Sequence, residues 1–495
     1  MKQLTKIVSI LCLLAMLLTT FAACKKKQES ETQETEPQET TFDYSGGDRL
    51  DDSLDYGNAK FTIMGWDTQQ ITEWVTEVTD ESTEIDKVLY NNLTSVEERL
   101  TIDVDIKTVK GRYSDREEFI QTLETAVTLN ASPDLVCQYG LTSSIGTLKG
   151  LYDNLLTTTH LDFDAPWWNE TLVEGNIING NLYYITGEIT PTVVYNMYSV
   201  MFNKDLLSSH QIEAPYSLVK SGNWTLNQMM SLIKDTSLNP NGNGIYSGAT
   251  ENVLYGLNVQ KLSVDALQTG FGVVAVQRNE DDSWGLSADY TGTKSVDAVD
   301  AIRNLVYNNG DVFYDKGHGT NNAVFYGDAI FGDGKALFDI GTLGQVERMI
   351  RDRKLSVGVV PTPKYDGTQE NYYTRLAPMV SLFSIPVGSP DRNRASAVLE
   401  ALGSSGYHYV TPVIFETTFR SRYSESPDDA EMFLKIRDGI VYDPGDFHDA
   451  LATYSAFRNC VASNQSWTGY FDTKSPTYVA ELEKINAVGK PAAEE

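Results

Sequence analysis

"KFTIMGWD", residues 60–67, alternates Phe61, Ile63 and Gly65 with polar or smaller neighbours, the two-residue period of a strand with one face toward a core. The next seventy residues decide the fold around it. Ile85, Val88, Leu89, Leu93, Val96 and Leu100 recur every three or four residues, one apolar helix face, and Thr83 with Asp86 three positions on opens that helix in the manner of a capping box. "TIDVDI" (101–106) alternates again through Ile102, Val104 and Ile106. Phe119, Leu123 and Val127 mark a second helix, and "SPDLVCQYG" (132–140) carries Leu135, Val136 and Cys137 as a buried strand. Strand, helix, strand, helix, strand predicts a parallel sheet with right-handed crossovers. Ligands of such sheets bind beyond the carboxyl ends of the strands. Trp66-Asp67 and Tyr139-Gly140 stand at two of those ends.

Ahead of this pattern lies a different kind of sequence. Lys2 and Lys6 precede an apolar run from Ile7 to Ala23, interrupted by Ser9, Thr19 and Thr20. The run falls short of the roughly 20 apolar residues that a spanning helix needs, and it has the layout of a secretory signal peptide over residues 1–23. "FAAC" (21–24) resembles the lipobox of bacterial lipoproteins, with Phe21 where leucine is the usual residue. That resemblance makes Cys24 the site of acylation and the mature N-terminus. Residues 24–49 are rich in Gln, Glu and Thr, too polar to offset the entropy of ordering, and are expected to form a disordered acidic tether. Lys25–Lys27 would add attraction to anionic headgroups. A plain secreted protein with an unmodified cysteine is the alternative.

The whole chain has 495 residues. Removal of the first 23 leaves 472, enough for two or more domains, and takes the formal charge from −29 to −31. So acidic a surface repels phosphate backbones, which argues against a nucleic-acid partner. With Cys12 and Cys24 set aside, Cys137 and Cys460 remain; pairing outside the cell and burial as free thiols are both open.

Four further stretches, in order, carry a family resemblance. "VMFNKDLLSSHQIEAPYSLVKSGNWTLNQMMSLIKD" (200–235) is similar to the strand, Asn-Lys-Asp-Leu, helix, Gly-x-Trp-Thr, helix stretch of extracellular solute-binding proteins, family one. "PWWNETLVEGNIINGNLYYITGEI" (166–189) resembles the segment before it. "GKALFDIGTLGQVERM" (334–349) and "LSVGVVPTPKYDGTQENYY" (355–373) resemble the later strand, glycine turn and Pro-x-Pro-Lys-Tyr-Asp loop. The resemblance covers most of residues 60–450. It implies an α/β, two-lobe fold of the periplasmic-binding-protein class II type, with a ligand cleft between lobes. Lobe one would hold 50–190 and 378–425; lobe two would hold 191–377 and the C-terminal helices of 426–495.

The function so implied is capture of a sugar or oligosaccharide and its delivery to the membrane subunits of an ABC transporter. The protein would be a lipid-anchored monomer on the extracytoplasmic face of a bacterial membrane, without enzymatic activity or cofactor. Sugars present hydroxyls at the rim and C–H patches on the faces, so their sites combine aromatic platforms with carboxylates, amides and arginine. The chain has 27 Tyr and 7 Trp. Trp66, Asp67, Tyr139 and the pair Trp167-Trp168 are the platform candidates. Asn196 and Gly341 match cleft positions of the family, and Arg375 lies near the return crossing, in reach of hydroxyls. Trp224, after a glycine, is expected to pack a helix start.

Other chemistries find less support. His160, His210, His318, His408 and His448 show no metal-ligand spacing. "NPNGNGIYSG" (239–248) occupies the place of an acidic loop in relatives but carries no aspartate, so no calcium is expected. "GDGKA" (332–336) lacks the first glycine and the Ser/Thr of a phosphate loop, and no Gly-x-Ser-x-Gly is present. An extracellular glycoside hydrolase, built on two of the 68 acidic residues, is the alternative from another class; a binder of peptide or another polar solute is the alternative within the same one.

Overall fold

The structure is a computed structural model that describes residues 46–68, 73–238, 246, 248–317, 326–415 and 427–490. The leader, Cys24 and nearly all of the tether fall outside the described residues, as does most of the 239–248 loop.

The periodicities become the expected elements. β1 (Ala59–Trp66), β2 (Ile102–Val109) and β3 (Leu135–Tyr139) run parallel, β1 lying between the other two. Helix Glu84–Leu100 joins β1 to β2. Thr83 caps it, its hydroxyl accepting from the Asp86 amide while the Asp86 carboxylate accepts from the Thr83 amide, two otherwise orphaned donors satisfied at once. Leu89, Leu93, Val96 and Leu100 on one face are buried. Helix Arg116–Thr128 joins β2 to β3 and buries Phe119, Ile120 and Leu123. A further strand, β11 (Ser381–Ser384), arrives from far along the chain and pairs antiparallel with β3, giving the order β11-β3-β1-β2.

A second sheet is built from β4 (Tyr198–Asn203), β5 (Tyr255–Gln260), β8 (Val312–Asp315), β9 (Ala336–Thr342) and β10 (Val357–Val360). Its order is β10-β4-β9-β5-β8. Every residue of β4, β5, β9 and β10 is buried, as strands covered on both faces must be. Between β5 and β8 in the chain, β6 (Val276–Arg278) and β7 (Trp284–Leu286) form a separate small hairpin. Trp224 is fully buried ahead of helix Leu226–Ile233, its indole donating to the Pro361 carbonyl at 2.8 Å.

The chain passes between the sheets in extended segments lying side by side. Met197 bridges Leu376, and Thr374 bridges Ile440. Asn196 sits in this connection. Its side-chain amide donates to the Thr192 carbonyl at 2.9 Å and to the Met379 carbonyl at 3.3 Å, and its backbone carbonyl accepts from the Ala377 amide. Cys137 and Cys460 are both free and buried, which decides between the two alternatives left open for them. Among the described residues, no helix is long and apolar enough to cross a membrane.

Candidate functional site

Trp66 and Tyr139 end adjacent parallel strands at the same sheet edge, which brings their rings to 5.3 Å, tilted by 56°. They are 9% and 5% exposed, so most of each ring is covered by protein. The Trp66 indole donates to the Ser381 hydroxyl at 2.7 Å. Asp67, next in sequence, turns its carboxylate to the Gly111 amide at 2.8 Å and to Arg112 at 3.2 Å. It thereby braces the loop after β2.

From that loop a continuous line of polar contacts reaches the second sheet. Arg116 stands 4.2 Å from the centre of the Tyr113 ring, which is half exposed, and pairs with Asp449 at 2.6 Å. Asp449 accepts from the Tyr454 hydroxyl at 3.2 Å. Arg458 lies 5.0 Å from the Tyr454 ring centre and pairs with Asp265. Asp265 belongs to the first turn of helix Ser263–Gly270, directly after β5. The carboxyl ends of strands in both sheets, with the chain around 446–458 between them, thus surround one site.

Its electrostatics are dominated by buried charge. Asp265 is held between Arg458 and Arg375; burial raises its carboxyl, and the two guanidinium groups oppose that rise. Burial likewise raises the Tyr139 hydroxyl, against the pull of Arg458 and Arg116. It pushes Tyr198 up to about 12, with Asp265 adding to the rise. One guanidinium, Arg458, therefore acts on tyrosines from both sheets. Buried polar atoms here without a hydrogen-bond partner among the described residues include Gln260 Nε2 at the end of β5, Asp265 Oδ1, the Tyr314 hydroxyl near the end of β8, and the Nε atoms of Arg116 and Arg375. Leaving such groups unsatisfied costs roughly 1–3 kcal/mol each.

The other residues singled out from sequence lie around this site in different ways. Arg375 is 1% exposed. It pairs with Asp446 at 2.5 Å and donates to the carbonyls of Tyr454 at 3.1 Å and Asp265 at 3.3 Å, so its guanidinium is engaged by protein. Gly341 pairs with Ser199 inside the second sheet, and a Cβ there would stand 2.4 Å from Gln345 Oε1 and 2.5 Å from Met201 Cε, so that the ends of those two side chains would have to shift. Trp167 and Trp168 are buried elsewhere. The Trp167 ring packs on Tyr407 and His408, and the Trp168 indole donates to Glu400 at 3.0 Å. Both line a cavity of about 350 Å³ with Glu188, Met197 and Arg437. Met197 faces that cavity, whereas Tyr198 is under the influence of Asp265. Asp265, Arg458 and Arg375 are not among the residues that line this cavity.

Sequence reasoning did not find Gln260, Asp265, Tyr314, Tyr454 or Arg458. The one available signal was position, since Gln260 and Tyr314 sit at strand ends as Trp66 and Tyr139 do. Among the described residues, no group of three or more His, Cys, Asp or Glu is placed to hold a metal ion.

No protein-family model and no curated protein sequence matches the chain. Solved structures do match in fold. The galacto-N-biose/lacto-N-biose I-binding protein of an ABC transporter from Bifidobacterium longum, in complex with lacto-N-biose, superposes with TM-score 0.56 at 15% identity, over 87% of this chain and 98% of that one. An ABC substrate-binding protein from Listeria monocytogenes, in complex with cycloalternan, gives 0.54 at 14% identity, over 86% and 99%. The GacH receptor of Streptomyces glaucescens, studied unliganded and with acarbose, gives 0.53 at 17% identity, over 86% and 98%. The chain has the two-lobed α/β fold of these solute-binding proteins.

Proposed function

We propose that this protein captures a sugar or oligosaccharide between its two sheets and delivers it, chemically unchanged, to the membrane subunits of an ABC transporter. The observation that carries this reading is the set of unsatisfied buried groups, Gln260 Nε2, Asp265 Oδ1 and the Tyr314 hydroxyl, at the carboxyl ends of strands. An amide, a carboxylate and a phenol are the donors and acceptors that sugar hydroxyls need, and the half-exposed Tyr113 supplies ring surface, with the small uncovered parts of Trp66 and Tyr139. The fold likeness supports the same reading, since the matched proteins carry saccharide ligands in their structures. Asn196, Gly341 and Arg375 hold the connection and the site walls. A guest that touches both sides shifts the population toward a closed arrangement, which a transporter would then recognise. The lobe boundaries at 190, 377 and 425, and acylation of Cys24 with attachment to the outer face of the cell membrane, belong to the same proposal.

The test is a thermal-shift screen of the purified protein against linear and cyclic oligosaccharides, with short peptides as the contrasting arm. A cognate saccharide at 100 times its Kd should add about 2.7 kcal/mol of stability and be recovered intact by mass spectrometry. Trp66→Ala or Tyr139→Ala should weaken binding while leaving the circular dichroism spectrum unchanged. A peptide that binds where no saccharide does would overturn the sugar assignment, and turnover of the saccharide would replace capture with hydrolysis.

A further inference from the structure

Behind the Trp66–Tyr139 pair lies a carboxylate that the site described above does not use. Glu73 is 5% exposed, and its hydrogen-bonding neighbours are neutral: the hydroxyls of Ser381, Thr190 and Thr192 and the thiol of Cys137. Ser381 and Cys137 donate to its two oxygens, the thiol from 3.3 Å, and Thr190 approaches at 3.4 Å. Thr190 and Thr192 stand 3.0 Å apart in the segment leaving the first sheet, while Ser381 opens the strand that returns to it and makes a 3.2 Å bond from its own amide to Thr192. A buried acid without a cationic partner costs stability, and such groups concentrate where function requires them.

The hydrogen-bond chemistry sets the direction of the chain. An indole can only donate and a serine hydroxyl has a single proton. Ser381 Oγ therefore accepts from Trp66 at 2.7 Å and must pass its own proton to Glu73 Oε1. Without an acceptor at Glu73, that proton loses this partner and the Ser381 hydroxyl is free to turn away from the indole. We infer that Glu73 is a positioning residue of the ligand site: through Ser381 it aims the Trp66 ring, and through Thr190 and Thr192 it ties that ring to the two chain crossings. The ligand-affinity part of this inference rests on the function proposed above; the alignment of Trp66 does not.

The experiment uses the purified protein labelled with ¹⁵N at tryptophan. The Trp66 indole resonance is identified by its loss in Trp66→Phe. Glu73→Gln keeps an acceptor for Ser381, so it should leave the Trp66 resonance in place and saccharide affinity within about threefold. Glu73→Met should move the resonance and weaken the saccharide found in the screen about tenfold, and in a Trp66→Phe background it should cost nothing further. Should Glu73→Met fail to fold, Ser381→Ala breaks the same chain by one hydroxyl and should move the same resonance. An unmoved resonance in a folded Glu73→Met or Ser381→Ala protein overturns the inference, as does a Glu73→Gln protein no better than Glu73→Met. If no saccharide binds the wild type, the proposed function fails while the resonance still decides the alignment.

Discussion

His448 offers the sharpest test of how this interior is held. Its ring is 1% exposed, packs edge-on to Trp284 at 5.7 Å, and neither ring nitrogen has a hydrogen-bond partner among the described residues. Burial alone drives its pKa down from 6.5 to about 3, because the charged form cannot leave water without compensation. As pH falls, the unfolded chain takes up this proton well before the folded one. The contribution of His448 to stability is therefore intact above about pH 6.5 and is lost as pH falls from there toward about 3. Between pH 7 and pH 5 the loss comes to about 2 kcal/mol. His448→Leu removes the titrating group, so urea unfolding of wild type and variant at both pH values isolates it. Wild type should lose about 2 kcal/mol more than the variant over that interval, whatever the variant's absolute stability. Equal losses would mean that the folded protein protonates His448 freely, and the reasoning from burial would be wrong.

Three further outcomes are expected. Arg458→Met strips from Asp265 the guanidinium paired with its carboxylate, leaving Arg375, and should cost up to about 3–5 kcal/mol; adding Asp265→Asn to the same chain should recover most of that in urea unfolding, and purely additive losses would dissolve the pairing. Gly406→Ala would place a methyl group 1.8 Å from the Glu188 carbonyl, a backbone atom that cannot yield cheaply, so its melting temperature should drop by the equivalent of about 1–3 kcal/mol. Cys24→Ala should release the protein from membranes on cell fractionation, and continued retention would count against acylation at that residue.

The secondary structure of the first sheet was open to reading because its causes are local. Capping by Thr83 and Asp86 needs only neighbouring residues, and the face Leu89, Leu93, Val96, Leu100 needs only successive turns of one helix. Trp66 and Tyr139 could be placed at strand ends for the same reason, and parallel pairing then put them side by side. The rest of the site has no local cause. Glu73 meets Ser381 across 308 positions, Asp265 meets Arg458 across 193, and Arg375 meets Asp446 across 71. An aspartate bound for a buried ion pair looks, in sequence, like any other of the chain's 68 acidic residues. Arg375 illustrates the difference: its place near the crossing was legible, its engagement by Asp446 was not.

The amino-acid order by itself determined the strand–helix alternation, the strand ends and the strongly acidic net charge, because period, capping and net charge act over short range or add over the whole chain. Only the tertiary structure decided which charges share an interior and which aromatic rings face the candidate site. It also put Trp167 and Trp168 in a cavity whose lining does not include Asp265. Those outcomes depend on how two sheets and their crossings approach in space, and burial makes the resulting contacts strong only after the chain has brought them together.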